Sequence, residues 1–366
     1  MQALKKNLLG LTQDELEAFF LDLGYKKFRA KQLLQWMHQK YVVDFDLMSD
    51  LSMTLRNDLK SIASISLPEI ISETLSNDGT VKWLFNSGVG QAIETVFIPE
   101  ADRGTLCISS QVGCALDCSF CATGFQGFNR NLTSSEIIAQ VCFANSLLPK
   151  RKNGLSAITN VVFMGMGEPL ANYKNVLKAL RILLSDNAYG LSRRRVTLST
   201  SGIVPNLNSL GDDCNVSLAV SLHAPEDELR DNLVPINKMH PIAELLEACW
   251  AYAKKHSNRY ITFEYVMLRD INDSVLQARK LAKLLKNKPA KVNLIPFNPF
   301  SESDYQCSSS EQIRRFQSKL RESGIIVTTR KTRGDDIDAA CGQLAGKVNN
   351  KVLTRLSEKK RRAVVL

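Results

Sequence analysis

No stretch of this sequence approaches the ~18–20 consecutive apolar residues that a membrane-spanning helix needs. The opening segment MQALKKNLLGLTQDELEAFF has no apolar core of the secretory kind and soon turns acidic. A soluble, cytoplasmic protein is the expectation. There is no low-complexity linker, and no internal repeat beyond an alternation of strand and helix patterns. Acidic residues are in deficit, 37 Asp+Glu against 47 Lys+Arg, for a formal net charge of +10. That excess favours a polyanionic partner, RNA or DNA, although many cytosolic enzymes are as basic without one. A disulfide framework is not expected, because nine cysteines are an odd number in a long chain without an export signal.

What is present is globular in composition. The 366 residues are 44% hydrophobic and 23% charged, which argues against a disordered, collagenous or fibrous protein. That length suits two or three domains, or one barrel of about 250 residues with additions.

Residues 1–75 read as helical. LTQDELEAFFLDLG places apolar residues at helical spacing after a Thr/Asp start. In KKFRAKQLLQWMHQK, Leu33, Leu34 and Met37 share one face, while Lys26, Lys27, Arg29, Lys31 and Lys40 lie elsewhere. That basic surface is either a solvated helix face or an RNA contact. TVKWLFNSGVGQAIETVFIP alternates around Asn86-Ser87-Gly88, a hairpin signal. From about residue 104 strands and helices alternate. Strands are predicted at 105–110, 160–165, 195–201, 215–223, 260–268 and 291–298, with a last helix–strand pair at 310–330. Six βα units imply a parallel sheet with helices outside, and a full barrel would have eight. The predicted fold class is therefore α/β, a partial (βα)6 barrel whose site lies at the C-terminal ends of its strands.

Four of the nine cysteines fall between Cys107 and Cys121. Cys114, Cys118 and Cys121 have the spacing C-x3-C-x2-C, in a loop after the first barrel strand. Thiolates are soft ligands for iron–sulfur clusters or zinc. Three at this spacing suit a [4Fe–4S] cluster with one iron left open, and zinc with Cys107 as a fourth ligand is the alternative. Gly165-Met166-Gly167-Glu168-Pro169 ends the second strand. Ser199, Ser221-Leu222-His223 and Asn298 end later strands, where polar residues face the mouth of a barrel. Each alone is equally a turn or helix cap; together they look like a cofactor pocket.

The motif and its place resemble the radical S-adenosylmethionine enzymes, in which the open iron of a [4Fe–4S] cluster is chelated by S-adenosylmethionine. The strings TLCISSQVGCALDCSFCATG, MGMGEPL, TLSTSG, SLHAP and DDIDAACGQL resemble, within that superfamily, the RlmN ribosomal and transfer RNA methyltransferases. The resemblance runs over nearly the whole chain.

It implies methylation of carbon 2 of adenosine in 23S rRNA at the peptidyl-transferase centre, and beside the anticodon in certain tRNAs. It further implies that Cys341 takes a methyl group from one S-adenosylmethionine, and that a second gives the 5′-deoxyadenosyl radical that activates it. Glu94 would accept the ring proton, and Cys107 would attack the sulfur of Cys341, leaving a disulfide. Cys114, Cys118 and Cys121 would bind the cluster. Gly167, Glu168, Ser199, Ser221, Leu222, His223 and Asn298 would hold the cofactor. A flavodoxin- or ferredoxin-type electron donor and a monomer are expected.

The implied organisation has four parts. Residues 1–75 form a helical RNA-binding accessory domain and 76–103 a hairpin or linker carrying Glu94. Residues 104–332 form the barrel, and 333–366 a flexible Cys341 loop with a basic tail. The basic helix and Arg193-Arg194-Arg195 are candidates for holding phosphates. Cys142, Cys214, Cys249 and Cys307 are read as structural. Two rivals predict other outcomes: a sibling group that methylates carbon 8 of the same adenosine, and a non-catalytic RNA-binding protein with structural zinc.

Overall fold

Local signals set where the helices start. Thr12 accepts from the Glu15 N–H while Glu15 reaches back to Thr12, a capping box that opens α1 (Gln13–Asp22). The basic helix is α2 (Phe28–His38), and α3 (Met53–Ile62) follows. Leu33, Leu34 and Met37 of α2 are buried as their spacing predicts, while Lys26, Lys27, Lys31 and Lys40 are exposed. The computed structural model describes residues 5–151, 154–257 and 259–344. The basic tail lies outside the described residues.

Helix does not persist to residue 75. Residues 70–75 form a strand, β1 (Ile70–Leu75), which pairs antiparallel with β2 (Val81–Gly88). The predicted hairpin is β2 with β3 (Gln91–Pro99), turning at Gly88–Gln91. It is not a separate linker: β3 pairs antiparallel with the first barrel strand, β4 (Gly104–Cys107).

The barrel continues with β5 (Asn160–Phe163), β6 (Val196–Thr200), β7 (Ser217–Ser221), β8 (Ile261–Met267), β9 (Ala290–Pro296) and β10 (Ile326–Thr329). Every neighbouring pair from β4 to β10 is parallel. The ten strands lie in simple sequence order, with β1 and β10 at opposite ends of one open sheet. Each parallel crossover thus winds in one direction with no switch point, which is the winding of a barrel left unclosed.

Helices cover the outside: α4 (Ser134–Leu147), α5 (Tyr173–Leu184), α6 (Val204–Asp213), α7 (Ile242–Lys255), α8 (Val275–Leu285) and α9 (Ser310–Glu322). Capping boxes open α4 at Thr133/Glu136 and α8 at Ser274/Gln277. One continuous core joins these helices, the sheet and the N-terminal helices. Among the described residues, no helix is long and apolar enough to cross a membrane.

The first barrel strand is shorter than predicted. After Cys107 the chain leaves the sheet, because the Ser109 N–H bonds Gln140 and the Ser110 N–H bonds the Met166 carbonyl. Gln111–Gly113 then pairs with Phe128–Asn131 as a separate ribbon. This ribbon brackets the three-cysteine loop at the C-terminal end of β4.

Candidate active site

Cys114, Cys118 and Cys121 occupy that bracketed loop. Asp117 adopts a left-handed backbone, φ 48°, which tightens the turn between the first two thiols. Burial pushes the Cys114 thiol up to about 12, and Cys118 and Cys121 also up. Cys121 adds to the rise of Cys114, Cys121 and Cys114 add to that of Cys118, and Glu168 adds to both. They therefore form one neighbourhood that resists ionisation until a cationic group enters it. Yet among the described residues no three His, Cys, Asp or Glu side chains are gathered to hold a single metal ion. Thiols close enough to interact without converging on one point fit separate corners of an iron–sulfur cluster.

A cavity of about 160 Å³ opens beside Cys121. Gly167, Glu168, Ser199, Ser221, His223 and Asn298 all line it. Gly167 has φ +95°, and a Cβ there would lie 2.4 Å from Gln111 Cβ, so no side chain fits. Glu168 is buried, and burial pushes its carboxyl up. Its oxygens accept from the Leu170 and Ser201 N–H groups at 2.9 and 2.8 Å. The Thr200 and Ser201 side chains bond it as well, and it lines the cavity, where its ionised form suits a cationic amine.

His223 accepts the Val266 N–H on Nδ1 at 3.0 Å, and burial pushes its imidazole down to about 3. The ring is thus neutral with its proton on Nε2, a donor free for a ligand. Leu222 departs from the expected set, since its side chain is in the core and does not line the cavity.

Cys341 lines this cavity and also a larger one of about 600 Å³ inside the barrel. The loop around it is anchored rather than loose. Asn298 Nδ2 donates to the Cys341 carbonyl at 3.2 Å, and Gln343 donates to the Pro299 carbonyl at 3.2 Å. The Ala122 N–H donates to the Gly342 carbonyl at 2.7 Å, and the Thr123 hydroxyl to that of Leu344 at 2.5 Å. The expected flexible segment is therefore tied to the cysteine loop and to the exit of β9. Gly-rich sequence suggested freedom, but these tertiary hydrogen bonds are invisible to local reading.

Cys107, at the end of β4, is buried. Burial pushes its thiol up to about 12, Cys341 adds to the rise, and Arg330 opposes it. Cys341 also contributes to the upward shift of Cys121. One sulfur thus neighbours both the cysteine loop and Cys107. Glu94 lies on the same face, because β3 pairs Val96 with Cys107 and Glu94 is two residues earlier. It is buried, and Lys82 Nζ stands 3.9 Å from its Oε2.

Three residues of this site carry no sequence motif. Arg330, just beyond β10, lines both cavities; its guanidinium is held charged chiefly by Cys341, with Glu264 and Cys107 adding. Its place at a strand end was the one signal that could have found it. Arg230 is fully buried and bonds the Leu222, Ser201 and Ser221 carbonyls and Asn237 Oδ1 at 2.7–3.1 Å. It thereby fixes the ends of β6 and β7. Lys82 is the third. Arg193-Arg194-Arg195 is exposed but precedes β6, at the barrel end opposite the cysteine loop. Cys142, Cys214 and Cys249 are buried in or beside outer helices, and Cys307 is half-buried.

Known proteins agree with this geometry. Residues 108–282 match the Radical SAM superfamily, and residues 6–65 match the family described as ribosomal RNA large subunit methyltransferase N-terminal domain. A crystal structure of a radical SAM methyltransferase from Sphaerobacter thermophilus is 44% identical, with a TM-score of 0.87, covering 93% of this chain and 100% of that one. A curated protein of Francisella tularensis subsp. novicida (strain U112), named dual-specificity RNA methyltransferase RlmN, is 55% identical over 354 residues. That span is 96% of this chain and 95% of the relative.

Fold and site together define a radical S-adenosylmethionine enzyme, which uses a [4Fe–4S] cluster and S-adenosylmethionine. Within that class the chain belongs to the RlmN family of RNA methyltransferases.

Proposed function

We propose that this enzyme methylates carbon 2 of adenosine in 23S rRNA, at the peptidyl-transferase centre, and in tRNA beside the anticodon. The relative's name, a dual-specificity RNA methyltransferase, supports two RNA classes. The observation that carries the reading is the place of Cys341, which lines the same cavity as Cys121 in a loop bonded to the cysteine loop at Ala122–Gly342, and whose charge reaches both Cys107 and Cys121. Carbon 2 of adenine is electron-poor and not a nucleophile, so its new carbon has to be handed over by the protein. A thiol set between a cofactor pocket and a second thiol is suited to that transfer.

Cys114, Cys118 and Cys121 hold the cluster. Gly167, Glu168, Ser199, Ser221, His223 and Asn298 hold S-adenosylmethionine, with Leu222 as the link that sets Ser221 and His223 beside each other. When bound, these groups supply the methyl group and the one-electron chemistry of the reaction. Cys341 Sγ carries the carbon to the base as a nucleophilic thiol. The Glu94 carboxylate takes the ring proton. The Cys107 thiolate then attacks Cys341 Sγ; as the disulfide forms, the sulfur–carbon electron pair leaves with the methylene on the base, which gains a proton to become the methyl group. A reducing cytoplasm resets the pair. The enzyme acts there as a monomer, with electrons from a flavodoxin- or ferredoxin-type donor.

The target base is unstacked to reach the barrel interior, as in other enzymes that act on bases. Arg103, Lys291, Arg330, Lys331 and Arg333 face the larger cavity against one carboxylate, Glu100, a charge balance suited to a nucleotide. Residues 1–75 serve as the RNA-binding accessory part, 76–103 carry Glu94, 104–332 form the barrel and 333–366 carry Cys341.

The test is nucleoside mass spectrometry of unmodified 23S RNA and tRNA after incubation with reconstituted enzyme, S-adenosylmethionine and reductant. 2-Methyladenosine is expected. 8-Methyladenosine would assign the chain to the sibling reaction, and no methyladenosine from cluster-loaded enzyme would overturn the reading.

A further inference from the structure

The Cys341 loop has a third anchor that touches neither cofactor pocket nor cysteine loop. It is the turn between β1 and β2. Asp336 accepts the Ser76 hydroxyl at 2.6 Å and the Asn77 N–H at 3.1 Å. Asp78 returns the exchange: its Oδ2 accepts the Gly334 N–H at 3.2 Å and faces Arg333 at 3.6 Å. Each segment thus gives the other a carboxylate. Ser76 and Asn77 hold the Asp336 carboxyl below the usual range. The two segments also approach closely. Gly334 has φ +62°, and a Cβ there would stand 2.8 Å from Ala339 Cβ and 3.0 Å from Thr80 Cγ2.

We propose that this reciprocal pair is a latch, and that Asp336 and Asp78 are positioning residues that keep Cys341 in register with Cys107 and Glu94. The inference rests on the functional reading above for its purpose, but not for its geometry. The latch joins the loop to β2, β2 pairs with β3, which carries Glu94, and β3 pairs with β4, which carries Cys107. All three reacting groups are thereby referred to one sheet. The other two anchors, at Asn298 and at Ala122–Thr123, border a pocket that fills and empties at each turnover. The latch lies outside that pocket, so it can persist through the cycle. Such positioning is needed because Cys341 meets different partners in successive steps, and small misplacements are costly to transfer rates.

The test uses cluster-loaded enzyme without RNA or S-adenosylmethionine. Diamide removes two electrons and two protons from a pair of close thiols, and peptide mass spectrometry follows the Cys107–Cys341 disulfide. In Asp336→Ala the disulfide should form roughly tenfold more slowly, and N-ethylmaleimide should label Cys341 faster, as expected for loss of charge-assisted hydrogen bonds. Asp336 is exposed, so the substitution leaves the core intact. Ser76→Ala should give the same direction of change, and the double variant should lose less than the sum of the two, because both break the Ser76–Asp336 contact while Ser76 Oγ also accepts the Asp78 N–H at 3.2 Å. Asp336→Asn, which keeps an acceptor, should recover part of the rate.

With RNA supplied, kcat should fall and the KM for RNA should hold. Wild-type rates of disulfide formation and labelling in Asp336→Ala would overturn the latch. These thiol readouts need no methylation, so they stay decisive even if wild-type enzyme makes no methyladenosine, which would overturn the functional reading alone.

Discussion

The ammonium of Lys82 stands 3.9 Å from Glu94 Oε2 and donates to the Asp338 carbonyl at 3.1 Å. One cation therefore faces the proposed base and the loop that carries Cys341. Both Lys82 and Glu94 side chains are largely shielded from water, so their attraction is less screened than that of a surface pair. Lys82→Met should disorient the carboxylate while leaving Cys341 able to accept its methyl group. Methylated RNA should form roughly tenfold more slowly, the scale of an impaired general base. The RNA–protein adduct that precedes proton loss should accumulate. Denaturing gels of the reaction check this, and normal turnover without adduct would remove Lys82 from the mechanism.

Arg230 places a buried charge under the cofactor pocket and satisfies carbonyls at two strand ends. Desolvation lowers its pKa to about 10, so it stays protonated at neutral pH. Arg230→Met should leave those carbonyls unpaired and cost about 3 kcal/mol or more. Thermal unfolding should show a lower midpoint, and equilibrium binding of S-adenosylmethionine should weaken. Arg230→Lys should recover little, because an ammonium lacks the planar fork that spans four acceptors. Unchanged stability in both variants would contradict the bonding described.

Much of this was legible in the sequence because it is local. The three-cysteine spacing, the strand-end polar residues and the apolar barrel strands each announce themselves within a few residues. β1 did not, because it is an edge strand whose residues are mostly exposed and show no buried alternation. Lys82, Arg230 and Arg330 were invisible for a different reason. Their roles depend on which strand pairs with which and in what register. Arg230 reads as one more charge on a polar helix, Asp227–Leu233, until four acceptors are seen around it. The buried side chain of Leu222 was not legible either, because a strand-end position does not say which way the chain turns next.

His38 is fully buried against Tyr189, with ring centroids 5.1 Å apart, and neither of its ring nitrogens has a partner among the described residues. Burial pushes its imidazole down to about 3 from an ordinary 6.5. The folded state thus binds fewer protons than the unfolded state between those values. Above pH 6.5 its titration adds no cost, and stability falls as pH drops from there toward 3. Between pH 7 and pH 4.5 the loss from this one residue is about 2–3 kcal/mol. His38→Phe keeps the ring packing and removes the titration. Urea unfolding at the two pH values should show a smaller acid penalty in the variant. An equal penalty in both proteins would mean that His38 is not held neutral.

The resolving step should carry the signature of a reluctant thiol. Cys107 is pushed up to about 12, chiefly by burial and next by Cys341, while the Arg330 cation pulls it down. Only the thiolate attacks, and well below its pKa the thiolate fraction rises about tenfold per pH unit. Release of the tethered RNA should therefore quicken by roughly that factor per unit between pH 7 and pH 9, with no plateau near the 8.5 of an ordinary thiol. Removing the opposing cation in Arg330→Met raises the Cys107 pKa further. At any one pH the release should then be slower, and the whole profile should move to higher pH. Single-turnover decay of the adduct, followed by gel at several pH values, measures both effects. A flat profile in wild type would mean that the Cys107 proton is removed by a neighbouring group in the same step as the attack.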